Sequence, residues 1–344
     1  MANFSGLLDA IQGIIEQTEI RDSVAARVLA YEDIARNFTW QRSIRGGMIW
    51  PTFDISASSR PFSTTFTGTD TQVVGAKELK LNKAKIEQPI DPDQYENQWL
   101  AFAESLALDS SDTTGFAQYI IDFIIGVEAE NNREQVLWQA EYNGAGTSSL
   151  DITDGFAKRI SDAITAGTIP TGQIETTGVL DASNTYDAVH AVLAKVSRKY
   201  RKMTDMQVLV SEEVFSFYME GWNAANPNRT PNYITSPVYN YGPTMQAATP
   251  AGGTGTRTTG LIMDYGLYAG IPLKVEDSMS EASSQRIVAT PRGNLIVASN
   301  MQDMEDFQFR THEKEWVFYL LAKYRLAMGI YEYGNGAIAV NDQV

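Results

Sequence analysis

Polar and apolar residues alternate through FSTTFT at residues 62–67 and QVVGAKELKLNKAKI at residues 72–86, on either side of a Gly68-Thr69-Asp70 turn. The pattern predicts a two-stranded ribbon with little of its own to bury. A lone hairpin is marginal in water, so this one is expected to lean on something outside itself, and another copy of the chain is the obvious support.

Helical periodicity dominates both sides of the ribbon. Leu7, Leu8, Ile11, Ile14 and Ile15 share one helical face, and DSVAARVLAYEDIA at 22–35 repeats the pattern. Gly46, Gly47 and Pro51 then stop any helix, so residues 1 to about 50 read as an extended arm. IDPDQYENQWLAFAESLAL follows the ribbon as a strand end, a Pro92 turn and a short helix. The longest element is predicted from Gly115 to Tyr142, with Phe116, Tyr119, Ile120, Phe123, Val127, Leu137 and Trp138 near helical spacing and Gly144 ending it. At that length it would run roughly 40 Å. Its polar middle, Glu128–Glu134, leaves only part of it to face a core, as in a spine lying across a sheet.

From Gly146 the texture is compact α/β. Helices are predicted over Gly155–Ala166, Thr185–Lys202 and Glu212–Glu220, the last capped by Ser211, with a strand at Met206–Val210. Trp222–Thr259 reads as a long loop. Strands return at Gly260–Tyr265 and Ile271–Val275, and Arg286–Ala289 is predicted to form a hairpin with Leu295–Ser299. In Trp316–Glu332 the residues Trp316, Phe318, Leu320, Ala322, Tyr324, Leu326, Met328 and Ile330 fall on one face and Lys323 and Arg325 on the other. That is a long strand with one covered face, and the spine is its natural cover.

Charge narrows the partners. The chain of 344 residues carries a formal charge of −15 and a pI near 4.6, which opposes a surface built to neutralise phosphates. Against that background Lys77, Lys80, Lys83 and Lys85 form a basic band. With no cysteine, disulfides, thiolate metal sites and cysteine nucleophiles are excluded and a reducing cytoplasm is compatible. The N-terminus lacks a basic n-region and a long apolar core, and no stretch approaches the ~18 apolar residues of a membrane span.

Catalytic chemistry finds few carriers. Neither His190 nor His312 sits in a metal-ligand pattern, and there is no GxSxG elbow. Carboxylates pair at Asp91 and Asp93, Glu212 and Glu213, Glu276 and Asp277, and Asp303 with Glu305 and Asp306, as 42 acidic residues make unsurprising. GGTGTRTTG at 252–260 satisfies neither GxGxxG nor GxxxxGK[ST]. Lys195, Arg198, Lys199, Arg201 and Lys202 read as a solvated helix C-terminus that the macrodipole favours, with nucleic-acid contact as the other reading. No catalytic residue, metal site or cofactor is expected.

The order of parts resembles the major capsid proteins of tailed double-stranded DNA phages, the Hong Kong 97-like fold. VVGAKELKLNKAKIEQPIDPDQYENQWL, YAGIPLKVEDSM and TPRGNLIVASNMQDMEDFQF carry the resemblance. It implies an α+β subunit with an N-terminal arm at 1–50 and an extended β-hairpin loop at 51–88. A peripheral domain with a long spine helix and long sheet would span 89–145 and 300–333, an α/β axial domain 146–299, and a C-terminal tail 334–344. It further implies a non-enzymatic virion protein assembled in the host cytoplasm, forming the hexamers and pentamers of an icosahedral shell around packaged DNA, with portal and scaffold or decoration proteins as partners and no membrane. Some members of that family crosslink a lysine to a neighbour's asparagine; Lys77, Lys80, Asn335 and Asn341 fit no motif that fixes such a role. Lys77, Lys80, Lys83 and Lys85 are expected to contact an acidic surface of the next subunit, near Asp91, Asp93, Asp303, Glu305 or Asp306. A phage tail or baseplate protein is the alternative, and a carboxylate-dependent hydrolase with residues 222–259 as a lid is a further one.

Overall fold

The computed structural model describes residues 36–41, 44, 47–55, 72–90, 131–225, 233–235, 261–263, 271–300, 308–312 and 317–343. The first strands are β1 (Thr39–Gln41), β2 (Gly47–Ile55), β3 (Gln72–Lys80) and β4 (Asn82–Ile90). A π-helical turn, Asn132–Val136, runs into α1 (Leu137–Gln139), followed by α2 (Phe156–Thr165), β5 (Ile174–Glu175), α3 (Thr185–Lys195), α4 (Arg198–Arg201), β6 (Met206–Val210) and α5 (Glu212–Ala225). Next come β7 (Tyr233–Thr235), β8 (Leu261–Met263), β9 (Leu273–Val275), α6 (Asp277–Glu281), β10 (Val288–Pro291), β11 (Leu295–Asn300), β12 (Gln308–His312), β13 (Val317–Ile330) and β14 (Ala339–Asn341).

Among the described residues these strands make two sheets and a ribbon. In the first sheet β13 is the axis: β11 and β12 lie end to end along one edge and β4 along the other, all antiparallel to it, while β1 joins β11 in parallel. In the second sheet the order is β5-β14-β10-β6-β9-β8-β7. The ribbon is β2 paired with β3 over nine residues.

Burial follows the alternation read from the sequence only in part. Tyr324, Leu326, Met328 and Ile330 are buried on one face of β13; on the other Lys323 is exposed but Ala327 and Gly329 are buried, so residues 326–330 are covered on both faces and not on one as expected. In the second sheet the continuous run Met206–Val210 is wholly buried, as befits a strand covered on both faces. Val189, Val192 and Leu193 of α3 and Val214, Tyr218 and Trp222 of α5 pack on Val208, Val210, Leu273, Ile287 and Ala289. Each such side chain contributes roughly 1.5–3 kcal/mol. Gly155 caps α2 where a Cβ would lie 2.5 Å from the Trp138 carbonyl oxygen, and Gly167, at φ +68°, closes the helix.

Four sequence expectations are corrected here. In the ribbon β3 pairs with β2 at 47–55, while the strand expected at 62–67 and its turn at 68–70 lie outside the described residues. The stretch 72–86 is not one strand, because Leu81 interrupts the ladder: β3 stays with the ribbon and β4 joins the first sheet. Arg286–Ala289 and Leu295–Ser299 form no hairpin. A 3₁₀ turn at Arg292–Asn294 carries the chain from β10 in the second sheet to β11 in the first, so 295–299 leaves the sheet of the expected axial region. The predicted helix Thr185–Lys202 breaks at Val196, whose backbone is extended. The expected C-terminal tail at 334–344 instead supplies β14, buried between β10 and β5. Of the predicted spine, the described part is helical from 131 to 139 and ends at Ala140, short of Tyr142; the rest falls outside the described residues, as does the N-terminal helix.

Candidate assembly surfaces

The base of the ribbon is anchored in the chain itself. Trp50, Leu79 and Leu81 are buried against Ile296, Ala298 and Ala327 of the first sheet, with Ile44 and Met48 beside them. Trp50 stacks on Tyr331 at 5.8 Å between ring centroids. Gly329 makes this approach possible, because a Cβ there would lie 2.9 Å from a Leu79 methyl and 3.4 Å from the Trp50 ring. The expectation that the ribbon finds its support outside the chain is therefore corrected at its base. On the opposite face Ile49 is 68% exposed, the largest apolar exposure in β2 among the described side chains. β2 and β3 pair with each other and with no further strand among the described residues.

The four band lysines divide by strand and face. Lys77 Nζ donates to the Tyr331 carbonyl oxygen at 3.0 Å and lies 5.2 Å from the centre of the Tyr333 ring, so it ties the ribbon to its own chain. Lys80, Lys83 and Lys85 are exposed. Lys83 stands opposite Arg325 and Lys85 opposite Lys323 across β4 and β13, two like-charge cross-strand pairs of a kind that weakens a ladder. Lys85 is also paired with Glu87 at 2.8 Å. The acidic partners expected for this band, Asp91, Asp93, Asp303, Glu305 and Asp306, lie outside the described residues.

A polar strap that sequence reasoning missed joins the two sheets. Asn37 is buried, Phe38 stacks on Phe156 at 4.8 Å, and the Trp40 indole donates to Ser299 Oγ at 3.0 Å. Asn37 Nδ2 donates to Glu276 Oε2 at 2.5 Å, Ser278 Oγ donates to Oε1 at 3.1 Å, and Gln207 Nε2 donates to the Asn37 carbonyl at 2.7 Å while its Oε1 accepts from Lys274 Nζ. Burial pushes the Glu276 carboxyl up to about 7, opposed by its hydrogen bond from Asn37. Burial, aided by Arg292 and Arg36, brings Lys274 down to about 8. Both Glu276 oxygens accept from protein groups, so the Glu276 and Asp277 pair is a structural lock and not an open acid/base dyad.

The turns linking the sheets are held the same way. Asn294 donates through Nδ2 to Thr290 Oγ1 and the Glu332 carbonyl, both at 2.9 Å, and accepts from the Glu332 amide at 2.7 Å. Gln173 Nε2 donates to the carbonyls of Tyr333 and Ile338, and its Oε1 accepts from the Gly336 amide. No sequence signal marks these amides, since only the fold shows which backbone groups they satisfy.

The remaining chemistry candidates resolve into packing. His190 is half-buried between α3 and α5, edge-on to Tyr186 at 4.7 Å, and burial lowers its pKa against the pull of Asp187. Glu212 and Glu213 are exposed in the first turn of α5, where the helix dipole favours them. Residues 252–260 lie outside the described ones, and so does the side chain of His312. Among the described residues no group of three or more His, Cys, Asp or Glu could hold a metal ion, and no helix is long and apolar enough to cross a membrane.

No family model and no curated protein matches the chain. Solved structures do. A chain of the satellite phage P4 procapsid that includes the size determination protein matches with a TM-score of 0.52 at 12% identity, over 93% of this chain and 89% of that one. A capsid chain of cyanophage A-1(L) gives 0.49 at 11%, covering 91% and 92%. A chain of an encapsulin complex from Synechococcus elongatus gives 0.47 at 11%, covering 90% and 86%. The likeness is one of fold: the chain has the α+β Hong Kong 97-like architecture.

Proposed function

We propose that this chain is a major capsid protein, a structural subunit that self-assembles into an icosahedral shell around packaged double-stranded DNA. One observation carries the reading: across nine-tenths of its length the chain has a capsid-type fold. The ribbon agrees with it, since β2 and β3 pair with no further strand among the described residues and Ile49 stands exposed on the ribbon. We assign the second sheet and its helices to the axial domain, the first sheet to the peripheral domain and the β2–β3 ribbon to the extended loop.

The work of such a protein is interface formation and not catalysis. Ribbon and arm add buried area on neighbours beyond what a globular body offers, and many weak contacts sum to a stable shell. Lys80, Lys83 and Lys85 are assigned to contacts with acidic segments of the next subunit, at Asp91 and Asp93 or Asp303, Glu305 and Asp306. Lys77 is withdrawn from that set because it is engaged within its own chain. The negative balance, −15, suits a wall that encloses DNA without gripping it, in a virion assembled in the host cytoplasm with portal and scaffold or decoration proteins as partners.

Sedimentation and negative-stain imaging of the expressed full chain test this reading. Closed shells of hexamers and pentamers are expected. Rings or tubes would favour a tail or baseplate role, and a protein that stays monomeric at every concentration and ionic strength would refute the shell.

A further inference from the structure

The second sheet and its helices carry opposite charge at the two ends of their central strands. β6 fixes the direction: α4 and its C-cap before it hold Arg198, Lys199 and Lys202, all exposed, and the residues after it begin, past Ser211, with exposed Glu212 and Glu213. The neighbours obey the same polarity. β10 is antiparallel to β6 and pairs Pro291 with Met206, so exposed Arg292 emerges at the basic end. β9 is parallel to β6 and pairs Val275 with Val210, so α6 with exposed Glu281 follows at the acidic end. β14 is antiparallel to β10 and delivers Asp342 to that end too, where its Oδ1 already accepts from the Thr177 amide and hydroxyl and from Gln343.

Local helix physics explains part of this and leaves a remainder. Dipoles favour acids in the first turn of α5. They do not place Arg292 in a 3₁₀ turn, Glu281 at the last position of α6 or Asp342 after β14, yet each falls at the end matching its sign. Acids at the basic end are already engaged: Asp205 Oδ2 accepts from the Gly293 amide and Glu332 Oε1 from the Gly334 amide. The five residues of β6 separate the two ends by about 17 Å, too far for their exposed charges to meet within one copy at physiological ionic strength.

We propose that the basic end around Arg198, Lys199, Lys202 and Arg292 docks on the acidic end around Glu212, Glu213 and Glu281 of a second copy. The contact is head-to-tail, so each copy presents one end and receives the other, which generates closed rings when the rotation closes. Charge complementarity selects this occupant, because the exposed charges of the two ends stand too far apart to pair within one copy, unlike Lys195, which pairs with Glu175 at 3.0 Å. The inference rests on the shell reading and names the interface by which axial domains orient one another.

A charge-swap cycle on the full chain tests it. Lys199→Glu with Lys202→Glu, and separately Glu212→Lys with Glu213→Lys, are each expected to raise the subunit concentration needed for assembly by about tenfold, the size that several screened surface pairs reach together. Reversing both ends in full, with Arg198, Lys199, Lys202 and Arg292 changed to Glu and Glu212, Glu213 and Glu281 changed to Lys, restores complementarity with opposite sign and is expected to bring the threshold back towards that of the unaltered chain. Glu281→Lys is a second acid-end variant outside the α5 first turn, and melting curves of dilute subunits show that every variant folds. Unchanged thresholds in the single-end variants, or a combined variant worse than either, would overturn the interface while leaving the shell intact. Failure of the unaltered chain to assemble at all would overturn both.

Discussion

Lys83 stands directly across from Arg325 in the β4–β13 ladder, with Lys85 across from Lys323 two residues along. A glutamate at 83 would face Arg325 as an opposite-charge pair, worth a few tenths of a kcal/mol in a ladder. Replacing Lys83 by Glu should therefore raise the melting temperature of dilute subunits slightly. In the double variant with Lys80→Glu, shells should be lost while folding is kept. Normal particles from that double variant, counted in micrographs, would remove these lysines from the interface.

The ribbon base offers a second test. Trp50→Ala removes a buried ring stacked on Tyr331, and a loss of about 3–5 kcal/mol is expected from large-to-small core changes. Gly329→Ala is milder, because its Cβ meets the movable end of Leu79. Hydrogen exchange at residues 77–81 should accelerate in both, and protection equal to the unaltered chain would show that the ribbon is held elsewhere.

Glu276 gives the subunit a pH dependence of definite sign. Its carboxyl is raised to about 7 in the folded chain, so folding holds that proton more tightly than the unfolded chain does. The stabilisation is complete below the ordinary carboxylate value near 4.5 and is lost as pH rises through 7. Glu276→Gln removes the penalty of burying the charge. Its melting temperature relative to the unaltered chain should climb between pH 5 and pH 8, by an amount corresponding to on the order of 2–3 kcal/mol. Arg36 and Asp277 also face this carboxyl. Lys274, lowered to about 8, has the opposite sign and titrates mostly above the window. A difference that stays flat with pH would contradict the assignment.

Asn294 should prove costly to truncate. Asn294→Ala leaves the Glu332 amide and carbonyl without their partner at the crossing between sheets, and about 2–4 kcal/mol is expected. Gly336→Ala should be comparably harmful, since φ is +71° and a Cβ would lie 2.7 Å from the Ser197 amide nitrogen. Denaturant midpoints close to that of the unaltered chain would argue that the turn rearranges freely.

Much of the architecture was legible because burial imposes periodicity. The two-residue period from Tyr324 to Ile330 identified one covered face of β13 but not the second, where Ala327 and Gly329 are buried under the ribbon, and the apolar run Met206–Val210 marked a central strand. What failed were choices between partners. Residues 295–299 satisfy the pattern of a hairpin with 286–289 equally well, and only Asn294, bonding across to Glu332, shows that the chain changes sheets there. Leu81 looks like one more alternating residue, yet the ladder breaks at it because Leu79 and Leu81 turn to the first sheet while Lys83 and Lys85 remain outside. Glu276 was visible as one of several carboxylate pairs; its partner Asn37 lies 239 positions away, beyond any local signal.

The pairing of Thr39–Gln41 with Ile296–Ala298 has a kinetic consequence. A contact spanning some three-quarters of the chain makes folding slow, because the loop must close before the contact can reward it. Neither sheet can be completed until residues 317–341 have left the ribosome, since β13 is the axis of one and β14 lies inside the other. A chain still being synthesised before that point therefore lacks both finished sheets.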